Sequence, residues 1–466
     1  MTQITIIQIL GLFQNYSDVN YKLREGDQTI RCKFSSIAYG KLTSEKIKII
    51  FFIPESIIIK DLSIIKKLNT SPEELIKIYE AKLRKIIGDD VNFQVKIIPS
   101  IGFYEIKKDE NNSKNIVAFQ NFIENIIIKF LIDLIDIKKE LIIDISTGFN
   151  IYIHALIEAV RSLIVYKKLK NILQNKNPFK VKCMIVPPVI GHIPDQVLPI
   201  EIYDYKAKVF FDIPYKNLDI NNNLISFSNG DVFNNNLEKL AKSSPKLDLK
   251  SRRIIDTTLL SFNAIKHNIP LAFFSKKLIE FDSNNENINQ ELEKIKDIHK
   301  FIKKTTKIEQ IDNKIVFHRL KCLKTSIVNL LFTLGLYQSF KQFYEEIMMK
   351  KPIISNIRNT FQRLYEKIAM GSNLRFLERD LKQIEKYKSK INKGELIELR
   401  SLININKEQK REITTQFSDE KRNFFAHSGL QRDYIQLKKN DEDELELYYK
   451  EEYLEIVKKW LLNPEN

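Results

Sequence analysis

Arg422 and His427 stand five residues apart in the run Ser418-Asp-Glu-Lys-Arg-Asn-Phe-Phe-Ala-His-Ser-Gly429. Histidine takes up and returns a proton near neutrality, and arginine carries a fixed cation suited to a phosphate. The pair suits RNA transesterification, in which a ribose 2′-OH attacks the adjacent phosphate and no metal is required. Ser418 is placed to cap a short helix, Asp419 and Glu420 to complement its amino end, and Gly429 to end it. A five-residue step on a helix sets the two side chains roughly 140° apart, so one copy does not make a tight pair. Two copies facing across a two-fold axis would, with Phe424, Phe425 and Ala426 as packing. The alternative is a surface histidine, with Arg422 paired to an acid such as Glu420.

A second segment, Leu141–Arg161, reads LIIDISTGFNIYIHALIEAVR. An apolar strand ends in Asp144-Ile145-Ser146-Thr147-Gly148-Phe149-Asn150 and an amphipathic helix begins at once. The carboxyl end of a strand and the amino end of the next helix are where an open α/β sheet binds ligands, and the helix dipole favours anions there. Ser146 and Thr147 offer hydroxyls, Gly148 permits close approach, and Asn150 can cap the helix or read a base edge. An ordinary capped strand-to-helix turn is the competing reading. The loop after the first strand, Gly11-Leu12-Phe13-Gln14-Asn15-Tyr16, falls on the same sheet edge, where Phe13, Asn15 and Tyr16 can stack on and bond to a nucleobase.

The elements that must position these loops are legible as short apolar runs closed by Gly or Pro. Gln3–Leu10, Lys46–Ile53, Asn92–Ile98, Leu141–Ile145 and Val181–Val186 read as buried parallel strands. Helical patterns at Pro72–Ile87, Ile116–Ile137 and Asn150–Leu173 lie between them, which predicts a doubly wound α/β domain with a mostly parallel sheet. Thr29–Ala38 is a candidate hairpin element and Tyr205–Pro214 a further strand. Asn217–Asn236, rich in Asn, Ser and Asp, reads as a linker. Beyond about Leu237 the periodicity is helical, including Glu291–Lys304, Ile315–Met349, Ile354–Met370, Leu374–Lys390, Glu395–Asn406 and Leu445–Leu462, and strand-like runs are nearly absent.

Composition narrows the classes. None of the 12 glycines is one residue from another, which excludes the dinucleotide fingerprint, and Gly40-Lys41-Leu42 does not complete a nucleoside-triphosphate loop. Cys32, Cys183 and Cys322 are far apart, so neither a disulfide framework nor a zinc cluster is expected, and a reducing cytoplasm fits best. No signal peptide or bilayer-spanning run is read, so the expectation is a soluble cytoplasmic protein with no membrane partner. The net charge of +16 is spread over both halves of the chain and suits polyanionic partners or a Lys-rich solvated surface equally. His154 is expected to pack against the sheet, His192 to be solvated in a loop, and Asp441–Glu444 to begin a helix. Trp460 is expected to anchor the last helix.

Arg422-Asn423-x-x-x-His427 in a C-terminal helical region resembles the HEPN ribonuclease motif. The Asp144–Asn150 loop resembles the ligand loop of CARF domains, the CRISPR-associated Rossmann folds. CARF first and HEPN last is the order of the ancillary ribonucleases of type III CRISPR antiviral defence. The resemblance implies an N-terminal Rossmann-like CARF domain (1–215), a linker or helical region (216–300) and an all-α HEPN domain (301–466). It implies a homodimer, or a higher oligomer of dimers, that binds cyclic oligoadenylate between its CARF domains. The two HEPN domains would then cut single-stranded RNA without metal or other cofactor. By the resemblance Arg422 and His427 are catalytic, with Asn423 and Ser428 in support. Gly11, Leu12, Phe13 and Asn15 face Ser146, Thr147, Gly148, Phe149 and Asn150 across the ligand. Many relatives carry His where this chain has Thr147. Cyclic tetra-adenylate, whose symmetry matches a two-fold pocket, is the expected activator. Two other readings stand beside this one: a non-catalytic nucleotide-sensing regulator, and a HEPN toxin that needs no ligand.

Overall fold

The computed structural model describes residues 4–12, 16–59, 64–65, 72–107, 114–173, 179–187, 196–209, 223–227, 236–283, 285–403 and 417–464. The first half supplies β1 (Ile4–Ile9), β2 (Val19–Leu23), β3 (Thr29–Cys32), β4 (Ile47–Pro54), β5 (Phe93–Ile98), β6 (Gly102–Lys107), β7 (Lys114–Gln120), β8 (Glu140–Asp144), β9 (Lys180–Ile185) and β10 (Val197–Asp204). Eight of these form one sheet in the order β3-β2-β10-β9-β8-β1-β4-β5. The run β9-β8-β1-β4-β5 is parallel throughout, and Ile7 of β1 lies opposite Ile50 on one side and Ile143 on the other. β-Branched runs such as Ile-Thr-Ile-Ile-Gln-Ile, without polar alternation, belong in strands covered on both faces. Helices Ser35–Thr43 and Pro72–Ile87 and helices Ile123–Leu134 and Asn150–Lys170 contribute to the two separate apolar clusters that the sheet divides.

The chain moves outward from β1 through β4 to β5, whereas β8 leads to β9 on the opposite side. The strand order therefore reverses between β1 and β8, and their carboxyl ends flank the crevice in which such sheets hold ligands. Both loops singled out from the sequence leave the sheet at this point.

The second half is helical: Leu249–Lys266, Glu286–Lys304, Lys324–Met348, Ile354–Lys367, Gly371–Glu385, Phe417–Ala426 and Leu454–Leu462 are the principal helices. It also holds more strand than the periodicity predicts. β11 (Ile225–Ser226) pairs with β14 (Lys321–Cys322), and β12 (Lys307–Ile311) with β13 (Lys314–His318). β13 joins β7 in parallel, so one four-stranded sheet, β12-β13-β7-β6, takes strands from both halves. β15 (Leu396–Glu398), β16 (Ile435–Lys439) and β17 (Leu445–Tyr449) form an antiparallel sheet among the C-terminal helices.

Several boundaries move accordingly. Residues 116–120 belong to β7 and residues 315–318 to β13, although both had the look of helix starts. Asp441–Glu444 is the turn between β16 and β17, with Asp443 at φ +62° and paired to Lys439 at 2.7 Å, so it does not begin a helix. The last strand of the large sheet is Val197–Asp204; residues 205–209 are not strand. His154 is exposed instead of packed on the sheet, and His192 lies outside the described residues.

The two halves share one continuous apolar cluster that runs from Ile7 and Ile143 through helix Lys324–Met348 to Phe424 and Trp460. Helix Lys324–Met348 lies directly on helix Asn150–Lys170. A Cβ at Gly335 would stand 3.1 Å from the Tyr166 carbonyl oxygen and 3.3 Å from Leu169 Cβ, so glycine permits this approach. A buried ion pair adds a second tie. Arg319, just after β13, donates to both carboxylate oxygens of Glu55 at 2.8 and 2.9 Å, and Glu55 also accepts from the Ser100 amide. Removing one partner of a buried pair strands the other charge. Arg319→Ala is therefore expected to cost about 3–5 kcal/mol in denaturant unfolding, and Arg319→Met with Glu55→Leu to recover much of it. A loss under about 0.5 kcal/mol for the single variant would show that the tie carries no load.

Candidate functional site

At the sheet crevice, β1 and β8 place Gln8 directly opposite Asp144, both wholly buried. Two polar side chains at the centre of a sheet must find partners inside it. Ser35 donates to Asp144 Oδ2, the Ser146 amide to Asp144 Oδ1 at 2.9 Å, and Ser36 Oγ to Gln8 Oε1 at 2.5 Å. Burial pushes the Asp144 carboxyl up, against the lowering effect of Ser35 and Ser146. Gln8 Nε2 donates to Thr147 Oγ1 at 3.2 Å, and Thr147 Oγ1 donates to the Ile9 carbonyl at 3.0 Å. The Val186 amide donates to Ser146 Oγ at 2.6 Å. The hydroxyls of Ser146 and Thr147 are thus engaged within the chain, where they hold the ends of β1, β8 and β9 together.

What the crevice offers a ligand is backbone and the side chains around it. Gly148 sits at φ +109°, and an added Cβ would lie 3.1 Å from both Cβ and Cγ2 of Ile9. Phe149 is the N-terminal cap residue of helix Asn150–Lys170, with no side-chain cap bond, so Asn150 is the first helical residue and not the cap. Leu12 and Phe149 are each 47% exposed, and Asn150, next in the chain after Phe149, is exposed as well. Such a helix start presents free N–H groups and the positive end of its dipole. The Gly11 amide donates to the Tyr16 hydroxyl at 2.9 Å, which ties the first loop down; burial pushes the Tyr16 phenol up. Phe13 and Asn15 lie outside the described residues.

The second site is at the end of helix Phe417–Ala426. Phe424 is fully buried, with ring centroids of Trp460 at 5.4 Å and Tyr434 at 5.7 Å. It anchors the helix within its own chain and is not available to a second copy, whereas Ala426 is exposed and Phe425 lies against His267. Trp460 anchors its helix as expected, and through Phe424 the Arg/His helix as well. The chain then turns sharply, with Ser428 at φ +54° and Gly429 at φ +68°. A Cβ at Gly429 would stand 2.7 Å from both Ile269 Cγ2 and the Tyr449 hydroxyl, so only glycine fits there.

This turn delivers the His427 ring, 53% exposed, into a cleft of about 660 Å³. Asn423, four residues earlier on the same face, lines it too, along with Tyr387, Arg400, Arg432 and Tyr434. Arg422 is exposed and does not line this cleft. Helix geometry explains the split: i and i+4 share a face, and i and i+5 do not. Ser428 points the other way and is buried, donating to Asp380 Oδ2 at 2.9 Å and accepting from Asn268 Nδ2 at 2.9 Å. Tyr365 donates to Asn268 Oδ1 at 2.8 Å. Asp380 Oδ1 lies 3.9 Å from His427 Nδ1. Asp380, Asn268 and Tyr365 carry no sequence signal of their own, and neither do Gln8, Ser35 and Ser36 at the first site.

Among the described residues no helix is long and apolar enough to cross a membrane, and no three His, Cys, Asp or Glu side chains gather as a metal-holding group. Residues 5–187 match the model for the CRISPR system endoribonuclease Csx1, CARF domain, and residues 372–451 that for its HEPN domain. The first range contains both crevice loops, and the second both Asp380 and His427. No curated protein matches the chain.

Proposed function

The chain belongs to the CARF–HEPN ribonucleases of CRISPR systems, and from that premise we propose a nucleotide-gated, metal-independent endoribonuclease acting as a homodimer. The observation that carries the reading is the placement of His427. Its ring is presented into an open cleft at a helix carboxyl end. In the reaction the 2′-OH oxygen bonds to phosphorus and the P–O5′ bond breaks, leaving a 2′,3′-cyclic phosphate and a 5′-hydroxyl. Histidine takes the 2′-OH proton or protonates the leaving 5′-oxygen, and arginine balances charge on the phosphorane. Arg400 and Arg432 line the cleft with His427, whereas Arg422 does not share the cleft of its own His427, so a two-fold pairing of these helices is the arrangement that would bring Arg422 and His427 to one phosphate.

Cyclic oligoadenylate is the proposed activator, in its tetra-adenylate form, with Gly11–Leu12 and Ser146–Asn150 of two copies facing its symmetric ring. Free amides at the start of helix Asn150–Lys170 suit its phosphates, and the half-exposed Phe149 ring suits an adenine face. A route to the cleft follows the packing. Helix Asn150–Lys170 bears on helix Lys324–Met348 at Gly335, and helix Leu249–Lys266 leads directly to Asn268, which is bonded to Ser428. Ligand binding then favours the paired arrangement over the open one.

The chemistry is tested by incubating the protein with single-stranded RNA in EDTA plus cyclic tetra-adenylate and analysing the new ends. Cyclic-phosphate and 5′-hydroxyl ends are expected. Ends bearing 5′-phosphate, or cleavage restored only by a divalent cation, would overturn the mechanism.

A further inference from the structure

Asp380 is buried, at 5% exposure, on helix Gly371–Glu385, yet its carboxylate reaches the half-exposed His427 ring. Its two oxygens have different surroundings. Oδ2 accepts from Ser428, whose hydroxyl is locked from behind by Asn268; Oδ1 accepts from Arg379 Nε at 3.2 Å and faces His427 Nδ1. Asn268 and Ser428 both hold left-handed backbone, at φ +62° and +54°, and are bonded to each other. Non-glycine residues persist in that conformation where their surroundings over-determine it, and such strain gathers at functional sites. A carboxylate fixed this firmly beside one ring nitrogen selects the imidazole tautomer and the ring orientation.

We propose that Asp380 is the positioning residue for His427: it holds the proton on Nδ1 and so turns Nε2 toward the phosphate in the cleft. The inference rests on His427 being the catalytic base or acid, and it deepens that reading by naming what orients the ring. At 3.9 Å the pair is at ion-pair reach in the free protein, and such contacts tighten once substrate fills a site. Asn423, four residues before His427, is exposed in the same cleft, where it can meet the RNA.

The test uses Asp380→Asn and Asp380→Glu in the full-length protein. In Asp380→Asn the amide can donate to Nδ1, which favours the opposite tautomer. Nitrogen-15 NMR of the His427 ring is expected to report Nδ1–H in the parent protein and a shift toward Nε2–H in Asp380→Asn. RNA turnover should fall on the order of 100-fold in kcat with KM changed less than about threefold, and Asp380→Glu should recover part of it. An unchanged tautomer, or a loss confined to KM, would overturn the proposal. If the parent protein cuts no RNA, the catalytic reading fails, and the ring spectrum still decides whether Asp380 sets the tautomer. Should Asp380→Asn fail to fold, Ser428→Ala, which frees Oδ2 but keeps the carboxylate, is expected to give a smaller change of the same sign. No change in its ring spectrum would then count against the proposal.

Discussion

His427→Ala is expected to lower kcat for RNA cleavage by about 10²- to 10⁴-fold, the range that a positioned acid or base contributes, while leaving the fold intact. The ring is half exposed in the cleft, so its loss opens no cavity, and stability should change by less than about 0.5 kcal/mol. The neighbouring positions behave differently. Ser428→Ala leaves Asn268 and Asp380 each short of one partner, and any side chain at Gly429 strikes Ile269 and the Tyr449 hydroxyl, so these should reduce stability as well as turnover. Steady-state kinetics combined with thermal unfolding separates the two classes. A His427→Ala protein that retains a tenth or more of its kcat would place the proton transfer elsewhere.

The other large effect is expected at the sensor. Gly148→Val forces a β-branched residue into φ +109° and drives its Cβ against Ile9, which is held in the centre of the sheet. The loop must then shift, and with it the helix start proposed to present amides to the ligand. Affinity for cyclic tetra-adenylate is expected to fall at least about 100-fold, on the scale of allosteric coupling energies, so that ligand no longer stimulates cleavage. The proposed catalytic residues are untouched, so ligand-free cleavage should equal that of the parent. Titration calorimetry checks the first expectation and a cleavage assay the second. Normal affinity in Gly148→Val would remove the crevice loop from the ligand site.

The parts of this fold that were legible in the sequence are those where one physical signal has no rival. Ile-Thr-Ile-Ile-Gln-Ile before Gly11, and Leu-Ile-Ile-Asp before Ser146, are too short for buried helices and too apolar for edge strands. They therefore placed the central strands and, with them, both crevice loops. The strands that escaped notice lie where the signals compete. Lys114–Gln120 runs with only two residues between it and helix Ile123–Leu134, and no Gly or Pro separates the two periods. The β12–β13 hairpin turns on Asp312 at φ +51°, an Asp-Asn turn that an Asn-rich chain offers in many places.

The sites divide in the same way. Arg422, His427 and Gly148 announce themselves by spacing and residue type. Their supports do not, because a hydrogen bond between Ser428 and Asp380 spans 48 positions, and one between Ser428 and Asn268 spans 160. Gln8 reads as one more residue of an apolar strand until its place opposite Asp144 is known. Even Ser146 and Thr147, chosen as hydroxyls for a ligand, are spent on the chain itself. Only the packed fold decides which way a hydroxyl faces.

The central claim is that a nucleotide at the sheet crevice switches on RNA cleavage at His427. Its most direct test is the rate of single-stranded RNA cleavage in EDTA, measured with and without saturating cyclic tetra-adenylate on the same preparation. The account predicts cleavage that depends on the ligand. Equal cleavage without it, or none in the presence of either the tetra- or the hexa-adenylate ring, would contradict the account.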